Sequence, residues 1–554
     1  MTTAAPAPVS HADLTCPATR ADAPLEPLAD AVSLGRRGSR RWVSLAFVCL
    51  AVVVIVMDGS IVNVALPTLA RSLDGASNSR LQWVVDAYIL AFAALLLPAG
   101  SASDRFGRKR VLLVGLATFA IVSIGAARAT TVEALIAWRA FMGLGAAMIF
   151  PSTLAILTDD FPEPSLRRIA IAIWAGSSGL GVAIGPVAGG WLLEHFHWGS
   201  IFLVNLPVIA VAWIGTACFT RESKDVDHAR FDPIGAALAI SGTLGLVWGL
   251  IEAPEAGWGS RETLVSLGLS ALLLCAFVWW ERRTAHPMLD MRYFANRRFA
   301  GGCLAIAAAF FGLFGFVFMV TQYFQFLHGY DALTAGIRTT PFAGFILLGA
   351  LLAANAGKRV PAHVTIAAGL ALMAAGFAWA TRDTIDTSYA LMVGQMGVLG
   401  TGLGLVNAAA TETIMSSLPL NKAGTGSSVN DTLREIGGTL GVAGMGSAFN
   451  ALYRGEIAER LASAPLPHEA KDLIRSSVGA ASMVLEKVGE IAGPTAVASL
   501  KVPIADAFLK GFAASCWIAG GAAALGAVCA YLLVSSGADT SDAAFFAEAD
   551  RRPS

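Results

Sequence analysis

The sequence predicts an all-α membrane protein with fourteen transmembrane helices, and three observations carry that expectation. Apolar stretches recur fourteen times between Trp42 and about Val534. Each approaches the roughly 20 residues that a hydrocarbon core about 30 Å thick requires. Only 14% of the 554 residues are charged and 55% are hydrophobic, where a soluble domain carries about 25% charge. Successive loops also alternate between base-rich and base-poor, the positive-inside pattern of a polytopic chain.

Residues 1–35 are rich in Ala, Pro and short polar residues and are expected to be disordered, within a cytoplasmic tail over 1–41. No apolar run precedes Arg36, so a signal peptide is not expected. Arg36, Arg37, Arg40 and Arg41 then hold the first span with its N-terminus in the cytoplasm. The expected spans are 42–67, 82–102, 111–128, 133–157, 167–194, 199–219, 233–251, 264–280, 299–327, 334–357, 362–380, 388–415, 424–450 and 508–534. An even count returns the C-terminal tail, 535–554, to the cytoplasm. Inner loops would then hold Arg105, Arg108, Lys109 and Arg110; Arg167 and Arg168; Arg221, Lys224 and Arg230; Arg282, Arg283, Arg292, Arg297 and Arg298; Lys358 and Arg359. Outer loops hold isolated bases such as Arg71, Arg80, Arg128, Arg261 and Arg382. The long outer connection, 451–507, has apolar residues at helical spacing. It reads either as one or two short helices over the outer mouth or as a solvated insertion.

Formal net charge is zero, which points to no nucleic-acid partner. The seven cysteines, Cys16, Cys49, Cys218, Cys275, Cys303, Cys516 and Cys529, stand singly, without disulfide or metal spacing. His195 and His197 in an outer loop are weak evidence for a metal, so neither metal nor cofactor is expected.

Between spans 2 and 3, Gly100, Asp104, Arg105, Gly107, Arg108, Lys109 and Arg110 form a tight, basic turn. Asp104 is placed to cap a helix N-terminus or to pair with an Arg. In span 5, Gly181, Gly185 and Gly189 recur every four residues, a stripe for close helix packing, beside Gly176, Pro186 and Gly190. Asp58, Asn63 and Pro67 mark span 1; Arg139 and Gly143 span 4; Trp198, Phe202, Asn205 and Pro207 span 6. Phe231, Asp232, Pro233 and Gly235, then His286, Pro287 and Asp290, flank spans 7 and 8. Gln322, Tyr323, Gln325, Gly336 and Pro341, then Asn430, Arg434, Gly437 and Gly438, follow in order.

Together these motifs resemble the major facilitator superfamily, specifically its 14-helix drug:proton antiporter branch, over nearly the whole chain after residue 36. The loop after span 2 resembles the superfamily signature, and Gly176 to Gly190 the antiporter signature of its exporters. Two departures stand out: Met142 where the fourth-helix pattern has Gln, and Glu435 where the thirteenth-helix pattern has Gln after its Arg. The resemblance implies two six-helix bundles, within 42–219 and 299–534, bracketing a central cavity, with the inserted pair and its loops in 220–298. Such bundles rock to expose the cavity to each side in turn.

At 1.5 Å per residue, Asp58 lies roughly 13 Å in from the outer end of its span, and Asp86 and Arg139 each roughly 9 Å. Asp58 is the expected carrier of the coupling proton, Arg139 its modulator, and Asp86 an attractant for cations; a static ion pair is the alternative. Nearer the cytoplasm, Glu412, Asp431, Arg434 and Glu435 suggest an inner gate through an Arg434–Glu412 pair, or else Glu412 simply caps its helix. Phe310, Phe314 and Phe318, with Gln322 and Gln325, form an aromatic wall for flat lipophilic molecules if they face the cavity, and lipid-facing filler otherwise. Asn407 in span 12 joins them as a polar substrate-binding candidate.

The expected function is proton-coupled export of amphipathic, cationic drugs or toxic metabolites. Its driving force is the proton motive force, its place the cell inner membrane, and its state a monomer. A dedicated exporter of one natural product, siderophore or amino acid is the alternative within transport, with a proton-coupled importer behind it. A membrane enzyme finds no nucleophile–base pair among the spans.

Overall fold

A computed structural model describes the backbone of residues 26–73, 78–224, 232–357, 359–461, 466–476 and 478–535. The tail segments 1–25 and 536–554, with Cys16, Arg230, Phe231 and Lys358, lie outside the described residues, as do the side chains of Arg36, Arg37, Pro67 and Arg71. Every regular element among the described residues is helical. The first six crossings are α1 (Glu26–Ser72), α2 (Asn78–Phe106), α3 (Arg108–Ala127), α4 (Val132–Asp160), α5 (Pro164–His195) and the consecutive α6 (Ser200–Leu203) and α7 (Asn205–Phe219). A hairpin of α8 (Pro233–Ala256) and α9 (Arg261–Glu281) follows. Then come α10 (Arg297–Gln322), α11 (Ala332–Ala356), α12 (Ala362–Ala380), α13 (Tyr389–Ser416), α14 (Ala423–Arg460), the short α15 (His468–Ser476) and α16 (Val478–Ser535).

Thirteen of the fourteen expected crossings are long and apolar enough to span a membrane. The other is α14, whose Asp431, Arg434, Glu435 and repeated glycines lower its apolar character, although its 38 residues form one helix. It packs against α10, α16 and α2, so protein rather than lipid surrounds its polar residues. One boundary moves. Helix α1 begins at Glu26, so 26–41 is helical rather than disordered; its Leu, Ala and Arg residues favour continuation of the helix.

Helix starts follow polar caps. Thr131, Asp232, Ser260, Asn296, Asp331 and Ser388 each accept a backbone N–H from the first turn of α4, α8, α9, α10, α11 and α13. Such a cap satisfies a donor that helix geometry leaves free.

Two apolar cores result. One gathers residues from Leu45 to Ala212, joined by Met415 and Ala423, and the other runs from Ala236 to Val534. The bundles meet along two seams, α5 on α11 and α2 on α14. The α8–α9 hairpin leans on α2 and α14, with Trp83 and Trp248 rings 4.6 Å apart.

The 451–507 connection is largely helical. Helix α14 runs on to Arg460, α15 follows, and α16 starts at Val478 and breaks at Gly493, whose φ is 82°. Ile474, Val478, Ala481 and Val484 bury into the same core as Tyr453, Ile457 and Ile504, and Tyr453 donates to the Ile474 carbonyl at 3.0 Å. The segment is thus docked on α14 and α16, at the end away from the α2–α3 turn, rather than solvated.

Candidate functional site

A fully buried ion pair occupies the middle of the first bundle. Asp58 on α1 and Arg139 on α4 are 0% exposed, and Arg139 reaches Asp58 Oδ2 at 2.5 Å. The second carboxylate oxygen accepts from Asn205 Nδ2 at 2.8 Å. Arg139 Nε also donates to the Val84 carbonyl at 3.0 Å, and its guanidinium lies 4.3 Å from the Tyr88 ring centroid. Met142, where the related motif has Gln, offers only its sulfur to Arg139, at 3.9 Å. One Arg139 nitrogen and the Asn205 Oδ1 are left buried without partners. Asp86 is half-buried on α2.

The glycine stripe of α5 places α1 against it. A Cβ at Gly181 would fall 2.9 Å from the Val53 carbonyl, and one at Gly185 2.9 Å from that of Met57. Gly189 faces Ile61, and Ser60 donates to the Gly181 carbonyl at 3.3 Å. On the other side of α5, Pro186 fits over Gly336 and Gly190 over Leu333, both on α11. Helix α5 therefore touches the Asp58 helix on one face and the opposite bundle on the other.

The ends of the bundles on the side of the α2–α3 turn are joined by a second set. Asp104 accepts the backbone N–H groups of Gly424 and Thr425, both at 2.8 Å, and the Thr425 hydroxyl at 3.2 Å. It caps a helix and also pairs with an Arg, for Arg108 holds it at 3.0 Å and reaches the Asn421 carbonyl at 3.2 Å. Gly100 permits this approach: it lies directly against Gly424 and Ser428. Gly107, at φ 109°, makes the turn that a side chain would strain, while Arg105 is exposed over Phe106. The second link is Arg167–Glu412 at 3.1 Å, from α5 to α13. This corrects the expected Arg434–Glu412 pair: Glu412 stands late in α13, level with the start of α5, whereas Arg434 is several turns deeper.

Arg434 turns into the second bundle and the seam. It donates to Asn407 and, at 3.3 Å, to the Thr411 hydroxyl, with Asp431 at 3.7 Å. Asn430 donates to Asp431 at 3.0 Å and accepts from Thr411 at 3.2 Å. The Arg434 guanidinium lies 4.8 Å from the Trp174 ring of α5 and 4.9 Å from the Phe310 ring of α10. Glu435 is half-buried.

Phe310 lies against Arg434 and edge-on to Phe314, with ring centroids 6.0 Å apart; Phe314 also fills the groove over Gly438, and Phe318 is 41% exposed. Gln322 and Gln325 are half-buried, and a π-helical turn over Tyr323–Leu327 ends the regular helix just after Gln322. His195 and His197 bond to the backbone of Trp191 and Gly199. Tyr88, Trp174 and Arg167 belong to the site without having been singled out in the sequence. An aromatic or a base on a seam helix is no signal until the partner helix is known.

The sequence matches the family model described as Major Facilitator Superfamily over residues 48–442. It is 36% identical over 425 residues to the multidrug efflux pump LfrA of Mycolicibacterium smegmatis, covering 77% of this chain and 84% of that protein. It is 31% identical over 434 residues to the tetracenomycin C resistance and export protein of Streptomyces glaucescens, covering 78% of this chain and 80% of that protein. The methyl viologen resistance protein SmvA of Salmonella typhimurium is 32% identical, over 79% of this chain and 87% of that one. Among solved structures, a bacterial homologue of the lysosomal transporter Spinster, inward-facing, superposes with a TM-score of 0.53 at 19% identity, over 89% of this chain and 98% of that one.

Proposed function

Because the chain belongs to the major facilitator superfamily, we propose that it is a proton-coupled antiporter that exports amphipathic, cationic drugs or toxic metabolites by alternating access. The single observation that carries the reading is the Asp58–Arg139 pair, fully buried in the first bundle and one helix away from the seam. An ionisable group at such a depth is costly, and proton relays are built from such groups. Asp58 takes the proton; Arg139 and Asn205 hold the carboxylate and set how readily it lets go. When Asp58 is neutralised, Arg139 loses its counter-ion and, besides the Met142 sulfur on its own helix, keeps the Val84 carbonyl and the Tyr88 ring, on α2. That is a change felt on a seam helix.

The Asp104 and Arg167–Glu412 links describe one end of the cycle, with the cytoplasmic side held shut. Breaking them opens the inner face, and α5 slides against α1 and α11 along its small residues. The multidrug and resistance names of the relatives favour broad export over import. The tetracenomycin relative keeps one second reading alive, a dedicated natural-product exporter. A membrane potential and pH gradient together near 180 mV supply roughly 4 kcal/mol per proton, enough for about a thousandfold gradient of a neutral substrate. The protein works as a monomer in the inner membrane with both termini in the cytoplasm.

The test is uptake of a cationic dye into inverted vesicles. Accumulation driven by an imposed acid interior and abolished by an uncoupler is expected. Equal accumulation with the uncoupler present would overturn the proposal.

A further inference from the structure

On the side of the α2–α3 turn, the α8–α9 hairpin ends in two buried carboxyl groups that transport does not use. Asp232 is 6% exposed and Glu281 3%. Asp232 Oδ1 accepts the backbone N–H groups of Ile234 and Gly235 at 3.1 and 2.9 Å, and its Oδ2 accepts the indole N–H of Trp280 at 2.7 Å. Three donors on one carboxylate hold it ionised. Glu281 Oε2 accepts the backbone N–H of Leu289 at 3.0 Å, while its Oε1 is buried with no hydrogen-bond partner. A Cβ at Gly235 would strike both Glu281 Oε1 and Asp232 Oδ2, so these two oxygens stand within about 5 Å of each other.

Among the described residues neither carboxyl group pairs with a base. The charges that act most on Glu281 are those of Asp232, on α8, and Asp290, in the connector from α9 to α10, and both are negative. Arg282 and Arg283 are exposed, with Arg283 over the Trp279 ring, and Arg292 is paired with Asp290 at 2.6 Å. Two buried like charges without a base are relieved by binding one proton. Glu281 Oε1, which receives no donor, is the atom that carries it. The pair also anchors the connector: Met288 and Leu289 bury in the core of the second bundle with Phe277 and Phe299, and Asn296 caps α10 a few residues on. The Glu281–Leu289 bond therefore fixes the connector at the start of α10.

We propose that Asp232 and Glu281 form a second proton-binding site, separate from Asp58, which holds one proton between two carboxyl groups and passes cytoplasmic pH to the start of α10. Only the cytoplasmic placement of this end is taken from the reading above. While Glu281 Oε1 carries the proton, the two groups lie together and the Leu289 bond keeps the connector docked. Loss of that proton to water leaves two negative charges side by side, with a third at Asp290. Their repulsion turns the Glu281 carboxylate away from Asp232, and the 286–290 segment is released from the hairpin.

The test uses the full chain in lipid nanodiscs with nitrogen-15-labelled tryptophan. It follows the indole N–H signal of Trp280, identified by its loss in Trp280→Phe, from about pH 5 to about pH 9. In the unaltered protein the signal is expected to shift through one transition, because Trp280 donates to the pair; a constant position overturns the site. Glu281→Gln, which cannot ionise, is expected to hold the signal at its acid position throughout, and a full transition in that variant overturns the assignment. Amide exchange over 286–290, compared at equal pH, is expected to agree within about twofold between the two proteins at about pH 5. At about pH 9 it is expected to be about tenfold or more faster in the unaltered protein, and equal exchange there overturns the switch. Asp58→Asn is expected to leave the Trp280 transition in place, so failure of the export reading is read apart from failure of this site. Loss of the transition in that variant would assign the proton to Asp58 and overturn the proposal.

Discussion

Asp104→Asn tests how the cytoplasmic side is held shut. The carboxylate is buried and takes three hydrogen bonds from the start of α14, at 2.8, 2.8 and 3.2 Å. Asn keeps the size and one oxygen but turns an NH2 group toward donors. Two of the three bonds are therefore lost, at about 1.5 kcal/mol each for bonds to a charged group. Because these bonds cross between bundles, they exist only while the inner face is closed. The variant should shift the equilibrium toward the inward-open state by about 3 kcal/mol, or roughly 150-fold. The Arg108–Asp104 pair lies within one bundle and contributes similarly to both states. Spin labels at exposed positions 105 and 416, one on each bundle, would report the distance distribution. A new long-distance population should dominate in the variant. An unchanged distribution would refute the clasp.

Further outcomes follow from the same geometry. Arg167→Glu should impair transport, and adding Glu412→Arg should restore much of it, since the pair links α5 to α13 at 3.1 Å; transport assays of single and double variants decide. Gly185→Val should cost about 1–3 kcal/mol of overpacking against α1 and abolish export with the protein still in the membrane, measured by efflux and immunoblot. Asp383, in the outer α12–α13 turn, is pushed up to about 6 by burial, with the Gln395 amide at 2.6 Å drawing it partly back. The folded state then binds its proton more tightly than the unfolded chain does. That stabilisation is present at pH below about 4 and is lost as pH rises through about 6. Asp383→Asn should raise the thermal unfolding temperature at pH 8 and change it little at pH 4.

The crossings were legible because the bilayer imposes one length and one composition on every helix. The exception is informative: α14, read from the sequence as one more apolar stretch, is polar for a span because protein surrounds it. Depth places Asp58 and Arg139 in one layer, but that they meet depends on the rotation of each helix, which only the packed bundle fixes. Depth says nothing of helix rotation, and the inner gate shows the consequence. Glu412 and Arg434 are near in sequence, yet the base that meets Glu412 comes from the other bundle, at the start of α5. Contacts between bundles depend on which state the transporter adopts, and no periodicity encodes that. The phenylalanine stripe of α10 illustrates a further limit: its spacing does not foretell that Phe310 meets a guanidinium and Phe314 a glycine groove.

The most direct measurement is proton release when substrate is added to purified protein in weakly buffered solution. Wild type should release close to one proton per bound cation from Asp58, and Asp58→Asn, verified as folded by its thermal transition, should release none. Undiminished release from the Asn variant would contradict the account, because the coupling proton would then reside on another group.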